Sequence, residues 1–448
     1  MLSIADNDYQ GTCFQHHEIS DLLHYGNKSL KALCEEHEGL LVFPPHLKDT
    51  DDRLGEDPIF SFAYGETEED IVVTTGNVMG FIGKGEQKLR IFSRFDRENK
   101  HDYFLHYMLQ RVLSINLFDF DTNSADEDVF DLLLFLFPHY LKAAMQQGVF
   151  REYVRFQHNN ANVRGTIDLA RHIRHNIPYN GRIAYNTREY SRDNSMTQLI
   201  RHTIEHIRQS RYAEAILQQD ADTKACVKDI VELTPSYSRS RRQQVIQKNL
   251  RPSSHPYFTD YLPLKDLCLR ILRWDEIKNG ESDDDFVGLL FDGAWLWEEY
   301  CNTILHDYGF VHPENKKWKN ALYLFTDHTC PRYPDFYRED KGLVVDAKYK
   351  KYGEKEKMAR VGGDDLHQII TYMFRLQAHY GAFLSPFQEE HDTFLSAHLE
   401  GYGGEVAIWG IEIPQSAASY SEFCTIMHAN EERFKSYLNE KFFSVYLT

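Results

Sequence analysis

Residues 333–337 read Tyr-Pro-Asp-Phe-Tyr, and residues 344–348 read Val-Val-Asp-Ala-Lys. The turn-forming sequence Glu-Asp-Lys-Gly at 339–342 lies between them and predicts a hairpin of two strands, at 332–337 and 343–350. Side chains two positions apart on a strand project from the same face, so Asp346 and Lys348 are expected to lie together. With Asp335 on the neighbouring strand, the hairpin would gather two carboxylates and one ammonium group at one spot on a sheet.

These three side chains would suit the hydrolysis of a phosphodiester. Carboxylates such as Asp335 and Asp346 hold one or two Mg²⁺ ions, with Mn²⁺ as a substitute, and the small Ala347 leaves its carbonyl free as a further ligand. Lys348 can orient or deprotonate the attacking water, or neutralise the developing charge. The alternative is an exposed hairpin with solvated charges. The apolar approach to Asp346 and the Pro before Asp335 favour the metal site, because unpaired acids on an apolar strand are unfavourable.

A helix predicted at 295–306 precedes the hairpin and supplies a third acid. Trp297 and Tyr300 should define its buried side, and Glu298 borders that side. Glu298 is therefore the candidate for an additional metal ligand, whereas Glu299 is assigned to the solvated face. The alternative for Glu298 is the same solvated position.

A second helix is predicted to begin with Asp364 as its cap and to run to about residue 379. Gln368 and Tyr372 are four positions apart and therefore share one face of this helix. Both could hydrogen-bond the side chain of Lys348, a water molecule or a DNA phosphate, although an amphipathic core helix explains the same spacing. Their place after Asp346 and Lys348 favours a role in the site.

Basic residues fill the segment between the metal-binding strand and the second helix. The candidates for contact with DNA phosphates are Lys350, Lys351, Lys355, Lys357 and Arg360. The alternative is an ordinary solvated charge run, because acidic residues are interspersed.

The length of 448 residues is too great for one ordinary core, and the pattern predicts an α+β protein of several domains. Residues 1–100 are predicted to form a β-rich N-terminal domain, and residues 101–285 a mainly helical middle domain. The polar, acidic stretch 277–285 is the predicted boundary. Residues 286–448 then alternate helices and strands, as in an α/β domain around a central mixed sheet.

Composition excludes several classes of protein. The seven cysteines are scattered without a Cys-x-x-Cys pair, which argues against a disulfide framework and a zinc site and favours a reducing cytoplasm. No apolar run is long enough to span a membrane, and the first ten residues lack the pattern of a secretory signal. The net charge of −18 is unusual for a protein that binds DNA by itself. Either the basic residues are concentrated on one face, or a partner holds the DNA.

The hairpin, Glu298, Gln368 and Tyr372 together resemble the Q-x-x-x-Y branch of the PD-(D/E)xK nuclease superfamily, whose fold is restriction-endonuclease-like. Upstream stretches, in the matching order, resemble McrC-like nuclease subunits of McrBC-type restriction systems, including the related LlaJI-type proteins. These stretches are Thr-Gly-Asn-Val-Met-Gly at 75–80, Lys-Leu-Arg-Ile at 88–91, Val-Arg-Gly-Thr-Ile at 163–167 and Tyr-Ser-Arg-Asp-Asn at 190–194. The resemblance extends over roughly residues 70–415.

The resemblance implies a Mg²⁺-dependent DNA endonuclease subunit of a restriction or anti-phage defence system. In such systems the nuclease subunit binds no nucleotide. A separate McrB-like AAA+ GTPase ring recognises or translocates the DNA and is stimulated by the N-terminal part of the nuclease subunit, here residues 1–100. This chain fits, because it lacks the Gly-x-x-x-x-Gly-Lys-Ser/Thr loop of nucleotide-binding proteins. A partner that holds the DNA would also account for the net charge of −18.

Alternatives remain open at this point. The chain could be a stand-alone PD-(D/E)xK DNA repair or defence nuclease, or a non-catalytic regulatory subunit of a GTPase ring. The intact trio of Asp335, Asp346 and Lys348 argues against the second. One site breaks one strand, so cleavage of both strands implies dimerised nuclease domains or two successive events.

A basic stretch in the middle region has a further candidate role. It could dock to the partner ring, contact DNA or place an arginine on the partner's nucleotide, and the alternative is a charged domain surface. Its members are Arg164, Arg171, Arg174, Arg182, Arg188, Arg192 and Arg201.

Overall fold

The structure is a computed structural model of the 448-residue chain. It describes residues 2–37, 40–44, 53–67, 69–85, 87–96, 102–113, 128–251, 256–278, 286–313, 321–351, 361–388, 394–401 and 403–443. Helices and strands both run through these ranges, so the predicted α+β class is confirmed. None of the helices in the described part is long and apolar enough to cross a bilayer.

The N-terminal part is rich in strands, as its β-branched residues in alternation predict. In residues 70–75, for example, every second side chain is buried. Its elements are β1 (Leu2–Ala5), β2 (Thr12–Gln15), α1 (His16–Ile19), α2 (Leu30–Glu36), β3 (Leu40–Phe43), α3 (Arg53–Glu56), β4 (Phe60–Tyr64), β5 (Asp70–Thr75), β6 (Val78–Lys84), β7 (Gln87–Phe92) and α4 (Tyr103–Leu113). Strands β2, β5 and β4 form a small antiparallel sheet in that order.

The middle part combines helices with an antiparallel sheet of order β8-β10-β9. Its elements are α5 (Asp128–Gln146), β8 (Glu152–Asn160), β9 (Thr166–Ile167), α6 (Leu169–Asn176), β10 (Ile183–Ser191), α7 (Ser195–Ile207), α8 (Ala213–Leu217), α9 (Ala221–Leu233), α10 (Arg242–Asn249) and α11 (Tyr261–Lys278). Helices α5, α7 and α11 pack together around fully buried side chains such as Leu199, Leu264 and Leu272. The sheet was not foreseen by the helical interpretation of this region.

The C-terminal part carries the predicted hairpin within a mixed sheet of order β14-β15-β16-β18-β17. Its elements are β11 (Phe286–Asp292), α12 (Gly293–Leu305), β12 (Leu322–Tyr323), β13 (Pro331–Arg332), β14 (Phe336–Arg338), β15 (Leu343–Ala347), α13 (Gly363–Leu376), β16 (Tyr380–Phe387), β17 (Phe394–His398), β18 (Glu405–Glu412) and α14 (Tyr420–Leu438). Strands β15, β16 and β18 are parallel, and β14 and β17 run antiparallel at the two edges.

Both strands of the hairpin are shorter than the sequence predicts, and they leave Asp335 and Lys348 just outside the paired residues. The predicted cap of the second helix was wrong. Gly362 occupies the cap position and α13 ends at Leu376, because Gln377 adopts a left-handed backbone with φ of 51°. The face of α13 that carries Tyr372 packs on the sheet, in a core that includes Val344 of β15. Asp346 lies on the same face of β15 as Val344, since the two are two positions apart.

Strand β11 joins the C-terminal part of the sequence to the N-terminal sheet. It lies between β6 and β3, giving the order β1-β7-β6-β11-β3. Phe286, Leu290 and Phe291 are buried there. Gly80 of β6 has a φ of +130°, and a Cβ at this position would come within 2.0 Å of the Leu289 carbonyl oxygen. Only glycine therefore lets the two strands pair closely.

This pairing divides the chain differently from the predicted ranges 1–100, 101–285 and 286–448. The chain folds into two compact units, one of residues 1–126 with 284–448 and the other of residues 127–283. The physical reason is that β11 has an apolar, strand-forming sequence that the N-terminal sheet buries. Helix α4, assigned by the sequence to the middle region, packs on α12 and α14 in the first unit. The predicted linker, 277–285, lies outside the described residues from 279 onward.

Candidate active site

The hairpin register brings Asp335 level with Asp346. Phe336 pairs with Val345 across the antiparallel strands, so the preceding residue continues toward Asp346. The Asp335 Oδ2 atom accepts a hydrogen bond of 2.7 Å from the backbone N–H of Ala347. The carboxylate of Asp335 is thereby fixed against the strand that carries Asp346.

Asp346 and Lys348 form the centre of the site. Asp346 is 1% exposed, and its Oδ2 atom lies 2.6 Å from the Lys348 Nζ atom. The Oδ1 atom of Asp346 is buried and has no hydrogen-bond partner among the described residues. Lys348 Nζ is also 3.4 Å from Asp365 Oδ1, on α13. One ammonium group is thus shared by two carboxylates, while one oxygen of Asp346 stays available to a ligand.

Gln368 and Tyr372 reach this centre from α13. The Lys348 ammonium group donates to Gln368 Oε1 at 3.3 Å, and Gln368 Nε2 donates to the Tyr372 hydroxyl at 3.0 Å. The Tyr372 hydroxyl in turn donates to the carbonyl of Tyr333 at 3.3 Å. This chain of hydrogen bonds ties the position of Lys348 to the segment that leads into Asp335.

Glu298 approaches from α12, with His312 between it and the hairpin. His312 Nε2 lies 3.8 Å from Glu298 Oε1 and 3.9 Å from Glu299 Oε1. His312 Nδ1 hydrogen-bonds the Asp335 carbonyl oxygen at 2.7 Å, and its ring stacks on Phe336 with centroids 4.9 Å apart. The imidazole therefore links the acids of α12 to the backbone of Asp335.

The predicted phosphate-binding residues are placed only in part. Lys350 Nζ lies 2.7 Å from Asp365 Oδ2, and Lys351 Nζ donates to Gln388 Oε1 at 2.5 Å. Both side chains keep solvent exposure beside the site. The remaining candidates, Lys355, Lys357 and Arg360, lie outside the described residues.

Burial and mutual repulsion disfavour the charged forms of the site's acids. Burial, together with the negative charges of Asp346 and Glu298, raises the pKa of Asp335 well above its ordinary value. Burial also raises the pKa of Asp346, although the Lys348 ammonium group opposes the shift. Burial and the charge of Glu299 raise the pKa of Glu298 to about 7, against the opposing effect of His312. Carboxylates in this state gain from any cation that joins them.

The neighbouring acids stabilise the charged forms of the basic groups Lys348 and His312. Burial alone would lower the pKa of Lys348, but the Asp346 carboxylate raises it above its ordinary value. Burial would likewise lower the pKa of His312, but Glu299, the Asp335 carbonyl and Glu298 raise it to about 9. Burial would raise the pKa of Asp365, yet the hydrogen bond from Lys350 lowers it. Near neutral pH, Lys348 and His312 are therefore both protonated.

The structure brings only some of the predicted metal ligands close together. Among the described residues, no three His, Cys, Asp or Glu side chains cluster tightly enough to hold a metal ion. Asp335 and Asp346 are adjacent, whereas Glu298 acts on them through its charge. Ligation by Glu298 and by the carbonyl of Ala347 stays a prediction.

The raised pKa values lead to a testable dependence of stability on pH. Glu298 binds its proton more tightly in the folded chain, with a pKa near 7 instead of 4.5. Between these values the folded chain holds more protons than the unfolded chain, so this group makes the free energy of unfolding fall as pH rises. Between pH 4.5 and about pH 7, thermal unfolding in EDTA should therefore show a steeper loss of stability in the wild type than in Glu298→Gln.

Added Mg²⁺ should reverse this loss, because a cation that binds the folded state alone stabilises it by about 2.7 kcal/mol at 100 times its Kd. Parallel pH profiles for the two proteins would show that Glu298 does not bind its proton more tightly in the folded chain.

Sequence reasoning missed two side chains of this site, His312 and Asp365. Asp365 lies three residues before Gln368 on the predicted helix, which places it near the same helix face. That spacing could have identified it. His312 carries no local signal, because its partners are 13–14 positions before it and 23 positions after it in the sequence.

The fold is similar to a solved structure over nearly its whole length. That structure is a chain of the refined half-complex from a tetradecameric assembly of Thermococcus gammatolerans McrB AAA+ hexamers with bound McrC. The TM-score is 0.51 at 15% identity, with 98% of this chain and 99% of that chain covered. A chain of the cryo-EM structure of the Thermococcus gammatolerans McrBC complex gives a TM-score of 0.33 at 14% identity, covering 70% of this chain and 89% of that chain. At these identities the first similarity concerns the fold alone.

A search of curated proteins found no match to the sequence. The sequence does match a protein family described as McrBC 5-methylcytosine restriction system component, over residues 73–385. This range is more than half of the chain, and it includes Asp335, Asp346, Lys348, Gln368 and Tyr372. The chain belongs to the family of McrBC 5-methylcytosine restriction system components.

Proposed function

We propose that this chain is the Mg²⁺-dependent DNA endonuclease subunit of a McrBC-like restriction or anti-phage defence system, with a C-terminal domain of the PD-(D/E)xK type. The observation that carries the proposal is the convergence of Asp335, Asp346 and Lys348 at one end of a hairpin. Gln368 holds the ammonium group of Lys348 there. Family membership supplies the biological setting, a restriction system.

The side chains present fit a divalent cation. Asp335 and Asp346 are buried acids whose negative charges repel each other, and Asp346 Oδ1 has no hydrogen-bond donor among the described residues. Oxygen ligands of this kind are those that Mg²⁺ and Mn²⁺ prefer. Asp335 and Asp346 would hold the ion, with Glu298 and the Ala347 carbonyl as further candidates. A bound divalent ion there supplies Lewis-acid polarisation of the phosphate and a water of lowered pKa.

The protein's own groups then orient the reaction. Lys348 carries a protonated ammonium group on a partly buried side chain. This group can orient the attacking water or stabilise negative charge on the phosphate. Gln368 accepts from Lys348 and Tyr372 holds Gln368, so the helix α13 fixes the direction of the ammonium group. Lys350 and Lys351 are the described candidates for contact with DNA phosphates beside this centre.

A partner that holds the DNA accounts for features that the nuclease site leaves unexplained. The net charge of −18 disfavours strong DNA binding by the chain alone, and the sequence lacks a nucleotide-binding loop. The structurally similar chain comes from an assembly of McrB AAA+ hexamers with bound McrC. We therefore assign a McrB-like AAA+ GTPase ring as the partner, and its GTPase activity as the target of stimulation by this chain.

The family resemblance assigns stimulation of the GTPase to residues 1–100, and we propose the β8-β10-β9 sheet and α6 as a second surface for this partner. Leu169 and Ile173 are 68% and 59% exposed, at the four-residue spacing that aligns side chains along one face of α6, and Ile177, which directly follows the helix, is 65% exposed. Arg164 and Arg174 are exposed nearby in the sequence. Other arginines of the predicted basic stretch serve the unit itself: Arg171 donates to the carbonyls of His158 and Tyr185, and Arg201 to that of Val231.

Substitutions on this surface provide a test of partner binding. We expect Leu169→Ser with Ile173→Ser to weaken binding to the GTPase by about tenfold or more, since buried apolar anchors dominate interfaces. Thermal stability should be unchanged, because both side chains are exposed. Tyr257→Ser is the matched control, as Tyr257 is 64% exposed in the same unit. Binding is measured by pull-down and by GTP hydrolysis with a McrB-like AAA+ GTPase, and equal binding by both variants would exclude this surface.

The direct test of the proposed function is cleavage of plasmid DNA by the purified chain. The assay is run with Mg²⁺ or EDTA, and with or without a McrB-like AAA+ GTPase and GTP. Metal-dependent cutting that requires the GTPase supports the proposal, and cutting by the chain alone indicates a stand-alone nuclease. Stimulated GTP hydrolysis without any cleavage would indicate a regulatory subunit and would contradict the nuclease assignment.

A further inference from the structure

Tyr349 follows Lys348 directly and leads the chain away from the candidate active site into the N-terminal sheet. Its ring is 5% exposed, and its hydroxyl oxygen lies 2.6 Å from Ser93 Oγ and 3.2 Å from Met79 Sδ. Gly293 lies against the ring, where a Cβ would come within 2.9 Å of it. The residue next to the candidate catalytic lysine is therefore anchored by side chains more than 200 positions earlier in the sequence.

Arg94 is the main anchor. Its Nη2 atom donates to the Tyr349 carbonyl oxygen at 3.0 Å, and its guanidinium group lies 4.6 Å from the centroid of the Tyr349 ring. The same Nη2 atom donates to Asn77 Oδ1 at 3.0 Å. A planar guanidinium can stack on a ring and donate to two oxygens at once, which an ammonium group cannot do in this geometry.

Arg94 is itself held rigidly. Its Nη2 atom lies 3.4 Å from Asp6 Oδ2, and its backbone N–H donates to Asp6 Oδ1 at 2.5 Å. Asp6 is fully buried and Arg94 is 6% exposed. The carbonyl oxygen of Arg94 accepts a hydrogen bond of 3.1 Å from Gln388 Nε2, and Gln388 directly follows β16. The arginine therefore bridges the end of β7 and the strands that carry the site.

The contacts of Arg94 with Tyr349 lie directly after Lys348 in the chain, so they can influence the position of Lys348. Asp346 lies inside β15 and pairs with Phe383 of β16, whereas Lys348 lies past the paired strand and keeps a backbone hydrogen bond, of 2.8 Å, from its N–H to the Leu384 carbonyl. On the far side of Lys348, the Arg94 contacts fix Tyr349. The backbone of Lys348 is thus held on one side by its hydrogen bond to Leu384 of the C-terminal sheet. On the other side it is held by the contacts between Tyr349 and Arg94, which follows the N-terminal strand β7.

We propose that Arg94 is a positioning residue of the candidate active site, holding Lys348 in place through the carbonyl and the ring of Tyr349. The inference rests on the proposed nuclease function, and it makes the N-terminal sheet part of the catalytic apparatus. Metal binding depends on Asp335 and Asp346, so loss of Arg94 contacts acts on the rate of the chemical step and leaves the affinity for the ion intact.

Arg94→Lys is the variant of choice, because it keeps a positive charge beside the buried Asp6 and so preserves folding. In the complete system of chain, GTPase, GTP and Mg²⁺, we expect kcat to fall by about 100-fold, the penalty typical of a misplaced catalytic group. KM for DNA and the affinity for Mn²⁺, measured by calorimetry on the chain alone, should not change.

Two further variants serve as comparisons. Tyr349→Phe, which loses only the hydroxyl contacts, should reduce kcat by less than Arg94→Lys does. Arg433→Lys is the matched control, since Arg433 is an exposed arginine of the same unit paired with Glu412.

Chemical rescue and hydrogen exchange separate positioning from a general loss of stability. Guanidinium ion at millimolar concentration should restore part of the activity of Arg94→Ala by occupying the vacated space, and should not affect Asp346→Ala. Hydrogen exchange should accelerate at the amides of residues 347–350 in Arg94→Lys and stay unchanged elsewhere in the C-terminal sheet.

The outcomes distinguish this inference from the proposed function. An inactive wild-type chain counts against the nuclease assignment, and the exchange measurement then decides the role of Arg94 by itself. An active wild type together with an equally active Arg94→Lys, showing unaltered exchange, overturns the inference. A combined fall in kcat and in Mn²⁺ affinity also overturns it, because it would show that Arg94 supports the whole site and not Lys348 in particular.

Discussion

Asp346→Ala and Lys348→Ala should each reduce metal-dependent DNA cleavage by about 1000-fold or more, the effect of removing a group that stabilises charge in the transition state. Asp346 supplies buried oxygen atoms for the ion, and Lys348 supplies the ammonium group beside the attacking water or phosphate. Neither replacement opens a large cavity in an apolar core, and in Lys348→Ala the buried Asp346 can bind a proton and so lose the charge that the ammonium group compensates. Folding and binding to the GTPase should therefore persist.

Stability should even rise in the Asp346 variant when no metal is present. Burial and the negative charge of Asp346 together raise the pKa of Asp335 well above its ordinary value, so removing that charge relieves repulsion in the folded chain. Thermal unfolding in EDTA measures this gain, and Mg²⁺ should stabilise the wild type but not Asp346→Ala. Such a gain in stability on loss of a catalytic side chain is expected where the geometry of the site is kept for function at the expense of stability.

Asp340→Ala and Lys341→Ala are the matched controls for this pair. Both lie in the turn of the same hairpin, and Asp340 is exposed and pairs with Arg338, two positions before it. They should cleave at the wild-type rate. Cleavage by Asp346→Ala or Lys348→Ala at the rate of these controls would remove the basis for the nuclease site.

A fragment of residues 286–448, the nuclease domain that the sequence predicts, should not fold by itself. Strand β11 would lose both of its neighbours, β6 and β3, and would expose Phe286, Leu289, Leu290 and Phe291. Each side chain contributes about 1.5–3 kcal/mol when buried, so the four together contribute about 6–12 kcal/mol. The loss is comparable to the whole stability of a typical domain, about 5–15 kcal/mol.

Co-expression with residues 1–126 should rescue the fragment, because the two segments form one compact unit. The expected result is a soluble complex of the two pieces and an insoluble or unfolded fragment when it is expressed alone. Residues 127–283 form the other unit, and their expression alone gives a control for the folding of a complete unit. Circular dichroism and solubility provide the measurements. A stable, cooperatively unfolding 286–448 fragment would show that the N-terminal sheet is dispensable for the fold of the nuclease part.

The sequence by itself determined the local features of this protein. A two-residue repeat is a local property of a strand, so it was enough to place Asp346 and Lys348 on one side of the chain. A four-residue repeat in a helix did the same for Gln368 and Tyr372. The turn at 339–342 predicted the antiparallel pairing that brings Asp335 level with Asp346, because a tight turn fixes the register of the strands that it joins.

Only the tertiary structure decided which distant segments meet. Nothing within β11 indicates that its neighbours are β6 and β3, since an apolar strand sequence suits any sheet that buries both faces. The contacts of His312 with Glu298 and of Arg94 with Tyr349 likewise join residues that no local period connects. Such pairings depend on the packing of the whole unit. Local periodicity therefore predicted that Asp346 and Lys348 share a face of one strand and that Gln368 and Tyr372 share a face of one helix, whereas long-range strand pairing determined the framework that holds them.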